Sequence, residues 1–135
     1  MPEFTTSLLA PAEVLAAYDE VSRLYPHIPS MSAWRSWELA AYRRFPLAGP
    51  TLDVGCGNGS YFALVWPGLK DVTGIDLDPA AVAEARQSGI YREVQQAPAH
   101  QLSLAPKSFA SAFANCSLSP MAALPHFLRT LHAAS

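Results

Sequence analysis

Three glycines at alternate positions, Gly55, Gly57 and Gly59, follow directly on a short apolar run, residues 51–54. An apolar stretch with helical spacing, residues 60–65, comes straight after them. A strand that runs into such a cluster and then into a helix must make a tight turn. Glycine permits positive φ there and lets a ligand approach the backbone without meeting Cβ atoms. The helix that follows offers unpaired N–H groups in its first turn. Asp53 stands two residues before Gly55, at the carboxyl end of the strand. A carboxylate at that point can pair with a ligand ammonium, directly or through water.

The rest of the chain alternates in the same way. Residues 71–75 read as a second strand, 90–95 as a weaker third and 109–116 as a fourth anchored by Phe113. Residues 79–87 read as a helix, with Asp78 as N-cap, Pro79 at its first position and Gly89 ending it. Residues 121–133 form a closing helix, and 97–107 a loop. Strands alternating with helices imply an α/β fold with parallel strands and right-handed crossovers. Ahead of this core, residues 11–23 and 32–44 have helical periodicity, separated by a break at Pro26 and Pro29. The second of these helices is expected to place Trp34, Trp37, Ala41 and Phe45 on one face.

A second acid matters as much as the glycines. Asp76 ends the second strand 17 residues after Gly59. In a doubly wound sheet the first two strands are neighbours, so Asp76 reaches the crevice at the end of the first. A carboxylate there accepts hydrogen bonds from both hydroxyls of a ribose. Asp53, the glycines and Asp76 together describe a ligand with a nucleoside at one end and a cation at the other.

The run Leu52-Asp53-Val54-Gly55-Cys56-Gly57-Asn58-Gly59, followed by Gly74-Ile75-Asp76-Leu77, resembles the class I S-adenosylmethionine-dependent methyltransferases. The resemblance continues through Ala99-His100-Gln101-Leu102, through Ser108-Phe109 and through Phe113-Ala114-Asn115-Cys116. It covers the chain from about Thr51 onward. It implies a Rossmann-like, open, mainly parallel sheet flanked by helices, with a helical N-terminal extension. It implies S-adenosyl-L-methionine as cofactor, held by Asp53, Gly55, Cys56, Gly57, Asn58 and Gly59. Asp76 is then the ribose acid and Leu77 the adenine contact, with Ala99, His100 and Asn115 completing the site. Two positions depart from the family. Pro98 stands where an acid often bonds the adenine amino group, and Ala110 where the fourth strand often has Asp.

The family normally continues with a fifth strand and an antiparallel pair. Residues 1–135 are therefore expected to form a single S-adenosylmethionine-binding domain that lacks them. Within it, 1–49 is a helical lid and 50–135 the Rossmann-like core. A fragment, an artificial truncation and a natural minimal version all fit. A sheet ending at its fourth strand would have an open edge there, and self-association through that edge is expected.

The implied reaction is in-line transfer of a methyl group to a small-molecule acceptor, with the protein supplying chiefly position. No residue is assigned as general base. Two other readings stand beside it. One is a non-catalytic module that holds S-adenosylmethionine or S-adenosylhomocysteine. The other is a nicotinamide-dependent oxidoreductase, because Gly55-x-Gly57-x-x-Ser60 comes near the dinucleotide fingerprint. Against the last, a pyrophosphate would meet Asp53 unfavourably.

Composition bears on the partner. Nine Lys and Arg against eleven Asp and Glu give a formal net charge of −2. No basic excess exists to neutralise a phosphate backbone, so no nucleic-acid partner is expected. Asn115 is also followed by Cys116-Ser117-Leu118, not by the Pro-Pro-aromatic run of enzymes that methylate amino groups of adenine or glutamine. Cys56 and Cys116 have no metal-ligand or disulfide spacing, so no metal is expected. No signal peptide or membrane span is read, and the expected compartment is cytoplasmic. Cys56 is read as a turn residue rather than a nucleophile. His27, His126 and His132 are read as surface residues, and the Trp34, Trp37 and Phe45 stripe as packing. Arg35 either reaches the cofactor carboxylate or is solvated.

Overall fold

A computed structural model describes residues 9–98 and 108–114. The helix expected over 121–133 and the candidates Ala99, His100, Asn115 and Cys116 lie outside those residues. The chain divides into two compact units, Met1–Pro46 with Ser60–Pro67, and Leu47–Gly59 with Gly68–Ser135.

The first unit contains α1 (Pro11–Val21), α2 (Pro29–Tyr42) and α3 (Ser60–Val65). Both long helices begin on proline, whose fixed φ suits a first helical position and whose missing N–H would have been unpaired there. Pro29 therefore opens α2, whereas the sequence reading had placed it in the break before a helix at 32. Ala17, Val21, Leu39, Ala40 and Val65 form the core of this unit.

The buried face of α2 is Ser32, Ser36, Leu39 and Ala40, not the tryptophan stripe. Trp34 is 60% exposed and Trp37 54%, which corrects the reading of that stripe as packing. Two small hydroxyl residues replace it at the contact. The Ser32 hydroxyl donates to the Tyr25 carbonyl and the Ser36 hydroxyl to the Ser32 carbonyl, so neither is buried without a partner. Arg43 pairs with Glu20 at 2.5 Å and Arg44 with Glu13 at 3.0 Å, joining the end of α2 to α1. Arg35 is half-buried. It donates to Glu38 at 2.8 Å and lies over the Tyr61 ring at 5.4 Å, so it is not the solvated arginine of the sequence reading.

The second unit is built on a four-stranded parallel sheet in the order β3-β2-β1-β4. Its strands are β1 (Thr51–Val54), β2 (Val72–Asp76), β3 (Glu93–Gln96) and β4 (Ser111–Ala114). Every residue of β1, a central strand of the parallel sheet, is buried. Leu52, Val54, Val72 and Ile75 are essentially inaccessible to solvent. Asp53 stands opposite Gly74 on β2 and Phe113 on β4. Phe113, the expected anchor of β4, is half-buried.

Helix α4 (Pro79–Gln87) lies between β2 and β3 in the chain and buries Val82 and Ala85. The Asp78 side chain accepts from the Ala80 N–H, the N-cap that its sequence predicts. Arg86, near the end of α4, donates to the Val94 carbonyl and ties the helix to β3. The order reverses at β1, whose successor β2 lies on one side and β4 on the other. Open α/β sheets bind ligands outside the carboxyl ends of the strands at such a point. The glycine turn leaves β1 there. Among the described residues, no helix is long and apolar enough to cross a membrane.

Candidate cofactor site at the end of the first strand

The turn after β1 is pinned to β2 by backbone bonds. The Gly55 and Cys56 N–H groups both donate to the Ile75 carbonyl, at 2.8 and 3.0 Å, and the Gly59 N–H returns to the Cys56 carbonyl at 3.1 Å. This path needs φ of 69° at Gly55, 56° at Gly57 and 88° at Gly59. The sequence expectation of positive φ therefore holds at all three positions.

The glycines nevertheless do different things. Among the described residues, a Cβ on Gly57 would meet no atom within 4 Å. That side of the turn is open, and a ligand can come against the backbone. A Cβ on Gly59 would lie 2.6 Å from Cε2 of Tyr91 and 3.0 Å from Cδ1 of Ile90. At Gly59 a protein side chain, Tyr91, occupies the space that a Cβ would need. Asn58, between them, is exposed.

Asp76, at the end of β2, is tied to the turn. One carboxylate oxygen accepts the Gly57 N–H at 2.8 Å, and the other accepts the Asp78 N–H at 2.9 Å. The same side chain thus holds the open glycine and the start of α4. A carboxylate has about four acceptor positions, so two backbone donors leave capacity for ligand hydroxyls. Leu77, next in the chain, is 65% exposed despite its size.

Asp53 is buried, with 3% of its surface exposed, and accepts the Tyr91 hydroxyl at 2.5 Å. Burial pushes its carboxyl up to about 7, against the Tyr91 hydrogen bond, which pulls the other way; the Asp76 charge raises it further. Burial likewise pushes the Cys56 thiol up to about 12, helped by the charges of Asp53 and Asp76. A thiol held protonated is a poor nucleophile, in keeping with the reading of Cys56 as a turn residue. Its Sγ donates to the Gly57 carbonyl at 3.3 Å.

Tyr91 escaped the sequence reading, which placed it inside a strand at 90–95. The strand begins two residues later, and Tyr91 packs among Gly59, Gly74 and Cys56. A Cβ on Gly74 would stand 3.0 Å from the Cys56 sulfur and 3.1 Å from the Tyr91 ring. A glycine inside a strand often marks such a close approach, and Gly74 was the available signal. Among the described residues no cluster of His, Cys, Asp or Glu could hold a metal ion.

Residues 52–134 match the family described as a methyltransferase domain. The chain belongs to this family. The matched stretch begins on β1 and includes the whole turn. Over 47 residues the chain is 45% identical to the ribosomal protein L11 methyltransferase of Laribacter hongkongensis (strain HLHK9), a match covering 34% of this chain and 16% of that protein. Among solved structures it is similar to an S-adenosylmethionine-dependent methyltransferase from Mesorhizobium loti, with 28% identity and a TM-score of 0.62. That alignment covers 74% of this chain and 48% of the other. A possible histamine N-methyltransferase from Thermotoga maritima shares the fold at 18% identity and a TM-score of 0.65, over 88% of this chain and 55% of that one. The chain thus spans about half the length of these solved relatives and a smaller share of the L11 enzyme. The cofactor of the methyltransferase domain is S-adenosylmethionine. The site is compatible with it: the backbone at Gly57 is open, and the Asp76 carboxylate beside it keeps acceptor capacity.

Proposed function

We propose that this chain binds S-adenosylmethionine at the glycine turn and transfers its methyl group to a small-molecule acceptor, residues 1–135 acting as one cofactor-binding domain. The observation that carries the reading is the Asp76 carboxylate, fixed by the Gly57 N–H at the edge of an open stretch of backbone. Asp76 takes the ribose hydroxyls, Leu77 lies against the adenine and Asp53 faces the ammonium of the methionine portion. Gly55, Cys56, Asn58 and Gly59 give the turn its path. When bound, the cofactor supplies a methyl group activated on a sulfonium. The residues of this chain contribute orientation, which can account for much of a barrier reduction when reacting atoms are held in line.

A small acceptor is favoured by the net charge of −2, since no basic surplus is present to gather a nucleic acid. The resemblance to the L11 enzyme is confined to 47 residues, 16% of that protein's length, and does not carry its acceptor to this chain. Incubation with a radiolabelled methyl donor and fractionated cell extract tests the acceptor class. Label in the low-molecular-mass fraction is expected. Label in ribosomal protein or nucleic acid would overturn the acceptor class, and cofactor binding without any transfer would favour the binding-module reading.

A further inference from the structure

We propose that Tyr91 is a positioning residue for cofactor binding, holding the Asp53 carboxylate in place and packing against Gly59 and Gly74 so that the turn keeps its shape. This rests on the reading of the turn as the S-adenosylmethionine site. Three observations meet at this side chain. Its hydroxyl donates to Asp53 at 2.5 Å. Its ring fills the spaces where Gly59 and Gly74 lack a Cβ. With Cys56 it packs against Val82, Ala85 and Val94, the small core between α4 and β3. Tyr91 therefore links that core to the acid at the end of β1.

The hydroxyl has a chemical consequence beyond packing. Among the described residues, the titratable groups facing Asp53 are Cys56 from the turn, Asp76 from the end of β2 and Tyr91 from the segment before β3. The β4 residue opposite it, Phe113, carries no charge. Asp76 opposes ionisation of Asp53, and Tyr91 is the partner that favours it. Tyr91 itself stays protonated, because burial and the Asp53 charge both drive its hydroxyl well above the ordinary phenol range. It is thus a fixed donor that keeps Asp53 available as a carboxylate for a cationic ligand group. Affinity for such a ligand should rise with pH through the ionisation of Asp53 and then level, and binding below that point should release a proton.

The test is calorimetric titration of wild type, Tyr91→Phe, Asp53→Asn and the double variant with S-adenosylhomocysteine from about pH 5.5 to 8.5. Tyr91→Phe keeps the ring and loses the donor. Its affinity–pH midpoint is expected to move upward by roughly one pH unit or more, the size carried by a hydrogen bond to a charged group. Affinity should fall about tenfold at the acid end and converge with wild type at the alkaline end. In the Asp53→Asn background the midpoint disappears, and Tyr91→Phe then changes nothing further. A merely structural tyrosine would lower affinity by the same factor at every pH, in both backgrounds, and that result would overturn the inference. Unchanged binding by Tyr91→Phe would overturn it as well, while leaving the cofactor reading intact. Failure of wild type to bind would remove both.

Discussion

Replacing Gly59 and Gly57 by alanine, one at a time, should separate the folding role of the turn from its ligand role. At Gly59 the added methyl meets the Tyr91 ring at 2.6 Å, and the backbone sits at φ 88°. The left-handed backbone costs an L-residue about 1–2 kcal/mol, and displacing a packed neighbour about 1–3 kcal/mol more. Gly59→Ala should therefore lose roughly 2–5 kcal/mol of stability. With a urea slope of about 2 kcal/mol/M, the unfolding midpoint falls by roughly 1–2.5 M. At Gly57 the same methyl enters open space at φ 56°, so only the backbone cost of about 1–2 kcal/mol applies. That methyl lies where the ligand is expected to approach. Gly57→Ala should thus remain the more stable variant and lose more S-adenosylhomocysteine affinity per unit of stability lost. Urea titration followed by tryptophan fluorescence, paired with calorimetry on the folded variants, reads both quantities. A Gly59→Ala protein as stable as wild type would refute the packing assignment. Equal loss of stability in the two variants, with Gly57→Ala binding normally, would refute the division between them.

Removing the Asp76 carboxylate should weaken S-adenosylhomocysteine binding by about 1.5–3 kcal/mol, roughly 10- to 150-fold in Kd, measurable by calorimetry on Asp76→Ala; unchanged affinity would remove Asp76 from the site. For Asp53, the unfolded chain gives up its proton near 3.8 and the folded protein near 7. The folded state holds the extra proton in between, so its contribution is full below about pH 4 and is lost as pH rises to about 7, by up to roughly 4 kcal/mol. The difference in urea stability between wild type and Asp53→Asn should show that slope for the ligand-free protein, and a flat difference would contradict it. In a Cys116→Ser background, Cys56 should react slowly with a thiol reagent at pH 8 until the protein unfolds, because its thiol is held up to about 12; rapid labelling of the folded protein would contradict this.

Residues 51–65 declare their structure through local chemistry. An apolar strand, three glycines with positive φ and a short helix admit few other arrangements, and the observed bounds of β1, α3 and α4 coincide with those read from sequence. Asp78 was equally readable, because a capping side chain acts on its own backbone neighbourhood. Asp76 was placed correctly at the end of β2, and its bond to the Gly57 N–H follows from the two strands being adjacent. What escaped is decided by tertiary packing. The weak strand signal at 90–95 hid Tyr91, whose importance lies in contacts with Gly59, Gly74 and Asp53, far from it in sequence. The buried face of α2 was misread for a related reason. Hydrophobicity favours the tryptophans, yet Ser32 and Ser36 can be buried once their hydroxyls find backbone acceptors.

Calorimetric titration of the wild-type protein with S-adenosylhomocysteine and, separately, with NAD tests the cofactor assignment most directly. Binding of S-adenosylhomocysteine, abolished or strongly weakened in Asp76→Ala, together with no detectable heat from NAD, is the predicted result. Binding of NAD with no response to S-adenosylhomocysteine would contradict it.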